Sequence, residues 1–246
     1  MHFEAFADTY ADARPPYPPA LWDCLRDLGV LQPGLRALDL GAGTGQATGS
    51  LLASGLSVTA VEPGTRLAER LRAAHPGASV VVERAEDAEL GENAFDVATA
   101  ATSVHWLDLD IVLSKVHRAL VAEGKFLVWR NVFGDASVRT PFRDHVARIV
   151  QERGAPARPG IDAEDISAVS SALTQSGLFS VDVARTFGWS IELDDQQVFR
   201  LFSTFSDWTA QEAEQAAAAV RELGGSVLEH YITWIIALTA TPAADR

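Results

Sequence analysis

The 246-residue chain holds a single cysteine, Cys24, so it can build neither a disulfide framework nor a cysteine-rich metal site. Cys24 lies in an apolar helical stretch and reads as a small core hydrophobe. Basic residues are also scarce. There are 20 Lys and Arg against 33 Asp and Glu, a formal net charge of −13 and a pI near 4.8. No Lys/Arg run occurs, whereas a partner that tracks phosphates calls for a basic face, so nucleic acid is not an expected partner. No apolar run approaches membrane-spanning length, and no basic segment followed by an apolar one opens the chain. These absences predict a cytoplasmic protein with no membrane partner. No set of His, Asp and Glu has metal-ligand spacing, so metal-independent chemistry is expected. Internal repeats and low-complexity segments are lacking too. The remainder is ordinary for a globular chain, with 48% hydrophobic and 22% charged residues. Its length suits one α/β domain with additions, as a monomer or homodimer.

Residues 36–45, Arg-Ala-Leu-Asp-Leu-Gly-Ala-Gly-Thr-Gly, stand out from this background. Ala37 to Leu40 reads as a buried strand, and Gln46, Leu51 and Leu52 begin a helical spacing. Between them Gly41, Gly43 and Gly45 form a turn that a ligand can approach closely, at a helix start whose N–H groups face outward. A dinucleotide fingerprint is G-x-G-x-x-G. Here the pattern is G-x-G-x-G, and Gln46 stands where the dinucleotide motif needs Gly or Ala. Asp39 is polar at a position where a purely structural strand would be apolar. Ser57–Glu62 is a β-branched strand ending in a carboxylate, about twenty positions after the first glycine, the register of a ribose-binding acid. The plainer alternatives are a glycine-rich turn of any α/β protein and a solvated loop acid.

Along the chain, 1–20 is rich in aromatics and proline (Phe3, Phe6, Tyr10, Arg14-Pro15-Pro16-Tyr17-Pro18-Pro19) and reads as a lid over a ligand mouth or a loose arm. Helices are expected at 19–29, from Gln46 to about Ser54, from Thr65 to His75, and at 109–120. Strands are expected at 57–62, 80–83, 94–100 and 124–129. Alternation of this kind means a parallel, doubly wound sheet with ligands at the carboxyl ends of its strands. Beyond 133 the pattern weakens. Helices are expected near 140–153, at 162–177 opening on Asp162, at 198–205 and at 210–223, with a Gly/Pro loop at 154–160. Strands are expected at 179–191 and 230–239.

Leu38-Asp39-Leu40-Gly41-Ala42-Gly43-Thr44-Gly45, Val61-Glu62-Pro63, Arg84-Ala85-Glu86-Asp87, Phe95-Asp96-Val97 and His105-Trp106-Leu107-Asp108 together resemble the motifs of class I S-adenosylmethionine-dependent methyltransferases. The branch resembled is the small-molecule, type 11 one that includes trans-aconitate methyltransferase-like proteins. Tyr10, Arg14-Pro15 and Tyr17-Pro18 resemble its N-terminal arm. The resemblance covers roughly residues 3–130. It implies a Rossmann-like seven-stranded sheet in order 3-2-1-4-5-7-6, strand seven antiparallel, with helical cap insertions. The chain would then be one domain over 1–246: an arm and helix (1–33), a cofactor-binding core (34–132), and substrate-shaping helices with strands six and seven (133–246). It also implies S-adenosylmethionine as cofactor and a small molecule as substrate. Gly41, Ala42 and Gly43 would face the methionine part, with Gln46 and Pro63 beside the ligand and Glu62 on the ribose hydroxyls. Ala85 and Glu86 would reach the adenine edge, and Ala101 would lie near the methionine moiety. Asp39 would act on the ammonium through loop geometry or water. Tyr10 and Arg14 would close over the cofactor.

Methyl transfer is an in-line displacement that needs alignment and exclusion of water. A carboxylate acceptor needs no base, but a hydroxyl or amine does. O-methylation of a carboxylate or hydroxyl is the expected reaction. His105, after the fourth strand, is the candidate base, with a backbone-bonded loop histidine as the alternative. Tyr17, Trp106 and Phe202 are candidate substrate-lining residues, and packing is the alternative for the latter two. His75 reads as a helix C-cap, and His117 and His145 as structural or exposed. Two other functions compete: a non-catalytic S-adenosylmethionine-binding protein, and an NAD(P)-dependent oxidoreductase, which Gln46 disfavours.

Overall fold

The computed structural model describes residues 13–153, 162–205 and 207–242. Phe3, Phe6, Tyr10 and the 154–160 loop lie outside the described residues. The chain runs α1 (Pro19–Asp27), β1 (Arg36–Leu40), α2 (Gln46–Ala53), β2 (Ser57–Val61), α3 (Thr65–Ala74), β3 (Ser79–Val81), β4 (Phe95–Ala101) and a 3₁₀ turn (Val104–Trp106). It continues through α4 (Leu109–Ala119), β5 (Leu120–Phe133), α5 (Pro141–Glu152), α6 (Ile166–Thr174), β6 (Phe179–Asp194), α7 (Asp195–Ser203), α8 (Ala210–Glu222) and β7 (Ser226–Ala240). The strands form one seven-stranded sheet in order β3-β2-β1-β4-β5-β7-β6, with β7 antiparallel.

Local chemistry sets these boundaries. α1 opens on Pro19, whose missing N–H costs nothing in a first turn. It buries Leu21, Cys24 and Leu25 and stops before Gly29, which sits at φ 72°. α6 begins at Ile166 rather than at Asp162. Asp165 accepts from the Ser167 and Ala168 N–H groups and is its true cap, while Asp162 closes a turn through the Glu164 N–H. α7 starts at Asp195, three residues before the expected start, because Asp194 and Gln197 form a reciprocal capping box. β5 is longer than 124–129 at both ends. Leu120 is already extended and pairs with Phe95, and the register then jumps to Val97 opposite Lys125. The intervening bulge puts Glu123 at φ 62°.

The chain divides into two compact units. The larger comprises Tyr17–Asn131, Ile161–Phe187 and Thr233–Arg246. Its strands β1, β2, β3 and β4 pair in parallel, with Asp39 opposite Ala60 on one side and Thr99 on the other. Leu38, Leu40, Val61, Ala98, Leu127 and Trp129 are essentially inaccessible, as expected for strands covered on both faces. Trp129 meets Tyr17 and Trp22 edge-to-face at centroid distances of 5.8 and 6.0 Å.

The smaller unit comprises Met1–Pro16, Val132–Gly160 and Gly188–Ile232. Phe142, Val198, Leu201, Phe202, Ala216, Val220 and Tyr231 form its core. Glu229 is 1% exposed and ion-paired to Arg143 at 3.1 Å. Burial pushes the Glu229 carboxyl up to about 7, against the pull of Arg143. The Arg143 guanidinium also covers the Phe133 ring and donates to the Phe133 carbonyl at 2.7 Å.

Candidate functional site

The carboxyl ends of β1, β2 and β4 carry a concentration of polar groups in the larger unit. Asp39 is fully buried on β1. Thr48 Oγ1 on α2 donates to its Oδ2 at 2.6 Å, and Thr99 Oγ1 on β4 donates to its Oδ1 at 2.9 Å. Burial raises its pKa to about 6, and the two hydroxyls hold it from going further. One carboxylate thus fastens the first strand to its neighbouring strand and to the following helix.

Gly41, Gly43 and Gly45 all take positive φ, at 65°, 59° and 94°. Their surroundings differ. A Cβ on Gly41 would lie 2.6 Å from Ser103 Cβ, and one on Gly45 would lie 2.5 Å from the His75 ring, which also blocks Gly49. At Gly43 nothing lies within 4 Å, so this is the glycine that opens onto space a ligand can use. Four of the loop's N–H groups, those of Gly41, Ala42, Gly43 and Gly45, are spent on acceptors of the protein itself. Gly41 and Ala42 donate to the Val61 carbonyl at 2.8 and 3.2 Å, and Gly45 donates to the Ala42 carbonyl at 2.9 Å. Gly43 donates to Glu62 Oε2 at 2.8 Å, and the other oxygen, Oε1, accepts from Gly64 at 2.8 Å. Glu62, 5% exposed, is a clasp for the loop as well as an acid at a strand end. Pro63 follows it, half-buried, and Gln46 is exposed at the first position of α2.

These contrasts give separable expectations. Gly41→Ala should lower stability by about 1–3 kcal/mol, through strained φ and overlap with Ser103. Gly43→Ala should cost about 1 kcal/mol of backbone strain yet fill the open space above the loop. Urea melts read the first effect, and ligand titration reads the second.

Ala85 is buried, whereas Glu86 is committed to the protein. Its Oε1 accepts from the Asp108 N–H at 2.8 Å and its Oε2 from Arg84 at 3.2 Å, while Lys115 donates to its carbonyl at 2.6 Å. Burial opposes ionisation there, but the Asp108 N–H and Arg84 prevail and hold the carboxyl below its ordinary range. The segment is stitched to the first turn of α4.

At the end of β4, Ala101 is half-buried and Thr102 sits at φ 57°, a strained conformation for a β-branched residue. Its N–H donates to the Trp129 carbonyl at 2.7 Å, and its hydroxyl shares a hydrogen bond with the Tyr17 hydroxyl at 3.0 Å. Ser103 Oγ donates to the Leu40 carbonyl at 2.6 Å. His105 and Trp106 follow, with ring centroids 4.7 Å apart, and Trp106 is 57% exposed. Arg130 Nη1 lies 3.1 Å from His105 Nδ1.

Asp39, Gly41, Ala42, Gly43, Gln46, Glu62, Pro63, Ala85, Glu86, Ala101, Tyr17, His105 and Trp106 therefore all belong to the larger unit. Arg14 and Phe202 belong to the smaller one. There Arg14 donates to the Thr204 carbonyl at 3.3 Å and covers the Phe205 ring. Phe202 is fully buried against Phe133, Phe205 and Trp208. Tyr10 lies outside the described residues. Sequence reasoning misses Thr48, Thr99, Thr102, Ser103 and Arg130. The polar pair Thr102-Ser103, closing an apolar strand just before His105, is the one signal available to it.

Residues 38–128 match a family model described as methyltransferase domain. An uncharacterised methyltransferase of Mycobacterium tuberculosis is 36% identical over 130 residues, 52% of this chain and 52% of the relative. The chain spans about half the length of the curated relatives it matches. Among solved structures, a provisionally assigned type II methyltransferase from Anaeromyxobacter dehalogenans is 28% identical, with a TM-score of 0.64 over 92% of this chain and 97% of that one. A Haemonchus contortus phosphoethanolamine N-methyltransferase, solved with phosphomonomethylethanolamine and S-adenosylhomocysteine, is 16% identical. It has a TM-score of 0.58 over 98% of this chain and 58% of that chain.

Proposed function

We propose that this chain, which carries a methyltransferase domain on the class I S-adenosylmethionine-dependent fold, transfers a methyl group from S-adenosylmethionine to an oxygen of a small molecule, a carboxylate or a hydroxyl. The observation that carries this reading is where the glycine loop spends its N–H groups. A pyrophosphate needs outward N–H donors at such a loop. Here Gly41, Ala42 and Gly43 donate to Val61 and Glu62 instead, and Asp39 and Glu62 make the surroundings anionic. A loop of this kind repels a dinucleotide and suits a ligand of net positive charge. The open space at Gly43 supports a backbone-hugging ligand there.

When bound, the cofactor supplies a methyl group on a sulfonium leaving group. The protein's share is alignment and exclusion of water. Glu62 would hold the ribose hydroxyls while keeping its clasp on the loop. Asp39 would attract the cofactor's positive charge from behind the loop, with Thr48 and Thr99 fixing its position. Trp106 would wall the acceptor space.

Calorimetry should give binding of S-adenosylhomocysteine and none of NADH. Tight NADH binding without S-adenosylhomocysteine would favour an oxidoreductase. Cofactor binding with no labelled methyl reaching any acid, phenol or amine would favour a non-catalytic binder.

A further inference from the structure

We infer that His75 is a positioning residue for the cofactor loop: its ring wedges against the first turn of α2 and fixes the loop's shape beside Gly43. This rests on the methyltransferase reading above. A Cβ on Gly45 would lie 2.5 Å from His75 Cδ2 and 3.1 Å from Nε2. A Cβ on Gly49 would lie 2.5 Å from Cε1, 3.0 Å from Nε2 and 3.2 Å from Nδ1. Carbon atoms pack best at about 3.5–4.0 Å, so neither position can carry a side chain with the ring in place. Positions four apart share one face of a helix, and the ring lies across both. Gly45, at φ 94°, favours glycine on backbone grounds alone. Gly49 does not. It lies inside α2 without a positive φ, where alanine is the better helix former. The imidazole is what accounts for a glycine there.

The ring is delivered from a fixed post. α3 is seated through buried Leu67, Ala68 and Leu71. The His75 N–H donates to the Leu71 carbonyl at 2.8 Å, and the His75 carbonyl accepts from the Ala78 N–H at 3.0 Å. Ser79 then opens β3, which pairs with β2. Leu71 reaches the same notch, with its Cγ 3.2 Å from the Cβ position of Gly45.

The glycine loop is therefore held in two ways. Gly41, Ala42 and Gly43 are hydrogen-bonded to the end of β2, through Val61 and Glu62. Gly45 and Gly49 are seated on the ring. Gly43, which faces open space, is where the first hold ends and the segment leading to the second begins. A loop kept in one shape spares a ligand the cost of ordering it. The third glycine of the G-x-G-x-G pattern thus serves the histidine, and His75 acts on the cofactor through the loop.

The test uses His75→Ala, Gly49→Ala and the double variant. The readings are urea melts, amide exchange at Gly43 and Gly45 in ligand-free protein, and calorimetry with S-adenosylhomocysteine where circular dichroism shows each protein folded. Gly49→Ala should lower the urea midpoint of wild type, where its methyl meets the ring. On the His75→Ala background it should raise the midpoint, because there alanine only favours the helix. In His75→Ala the Gly43 and Gly45 amides should exchange faster. Affinity should fall about 10-fold, the equivalent of one loop residue left for the ligand to order. An equal loss of midpoint from Gly49→Ala on both backgrounds would overturn the contact. Unchanged exchange and affinity in folded His75→Ala would overturn the positioning role. If His75→Ala does not fold, Gly49→Ala displaces the ring with His75 still present, and the same exchange and affinity readings on it decide. Failure of wild type to bind S-adenosylhomocysteine would sink the cofactor reading alone, with the melts and exchange still deciding the wedge.

Discussion

Glu62→Ala should weaken S-adenosylhomocysteine binding by at least about 100-fold. Two hydroxyl-to-carboxylate hydrogen bonds would be lost, each worth about 1.5–3 kcal/mol when the acceptor is charged. A second loss arises inside the protein. Gly43 and Gly64 each donate to this carboxylate at 2.8 Å, and the alanine variant leaves both N–H groups without that acceptor. The melting temperature should therefore fall together with affinity. Glu62→Gln keeps an acceptor oxygen but turns an NH₂ toward one of the two donors, so it should fall between wild type and alanine in both measurements. Calorimetry and a thermal melt on the same preparations separate the roles. A lowered melting temperature with unchanged affinity would reduce Glu62 to a loop clasp and remove the ribose assignment.

Asp39→Asn should make the protein more stable and its site weaker, with both effects depending on pH. Asp39 is fully buried, and burial raises its pKa from 3.8 to about 6. Between those values the folded chain retains a proton that the unfolded chain has released. The stability this contributes is complete below about pH 4 and is lost as pH rises through 6. At about 1.4 kcal/mol per pKa unit, the loss is about 3 kcal/mol. Asparagine has no proton to release. The variant should match wild type near pH 4 and exceed it by up to about 3 kcal/mol above pH 7. The hydrogen bonds can adapt, because Thr99 Oγ1 already lies 3.3 Å from the Leu38 carbonyl and can donate there while accepting from an amide. Cofactor affinity should move the opposite way. In wild type, S-adenosylmethionine should bind more tightly as pH rises through 6 and Asp39 ionises. The uncharged thioether product should show a weaker trend, and the variant none. Urea melts and calorimetry from pH 5 to pH 8 check both halves. A variant no more stable than wild type at pH 8 would mean that the buried charge carries no penalty.

The β1–β2 half of the fold is legible because its chemistry is local. Ala37–Leu40 and Ser57–Val61 are short apolar runs bounded by glycine turns, and strands buried on both faces look like that in any sequence. Features made by chain return are not legible. The glycine at position 45 reads as part of a ligand loop, yet its close neighbour is the ring of His75, delivered by the end of α3. Arg130 looks like a strand's exit to solvent. Only the pairing of Ala101 with Trp129 brings it beside His105. The start of β7 at Ser226 is masked by the polar residues Glu229 and His230, because the sequence does not show that Arg143 pairs with the first of them.

The unit boundaries at 131/132, 187/188 and 232/233 fall inside β5, β6 and β7. No linker separates the units at these three crossings, so recombination cannot exchange the smaller unit as a cassette. Each crossover would have to splice a strand in mid-ladder and preserve its alternation of faces. Chimaeras joined at these positions should therefore fail as folding units.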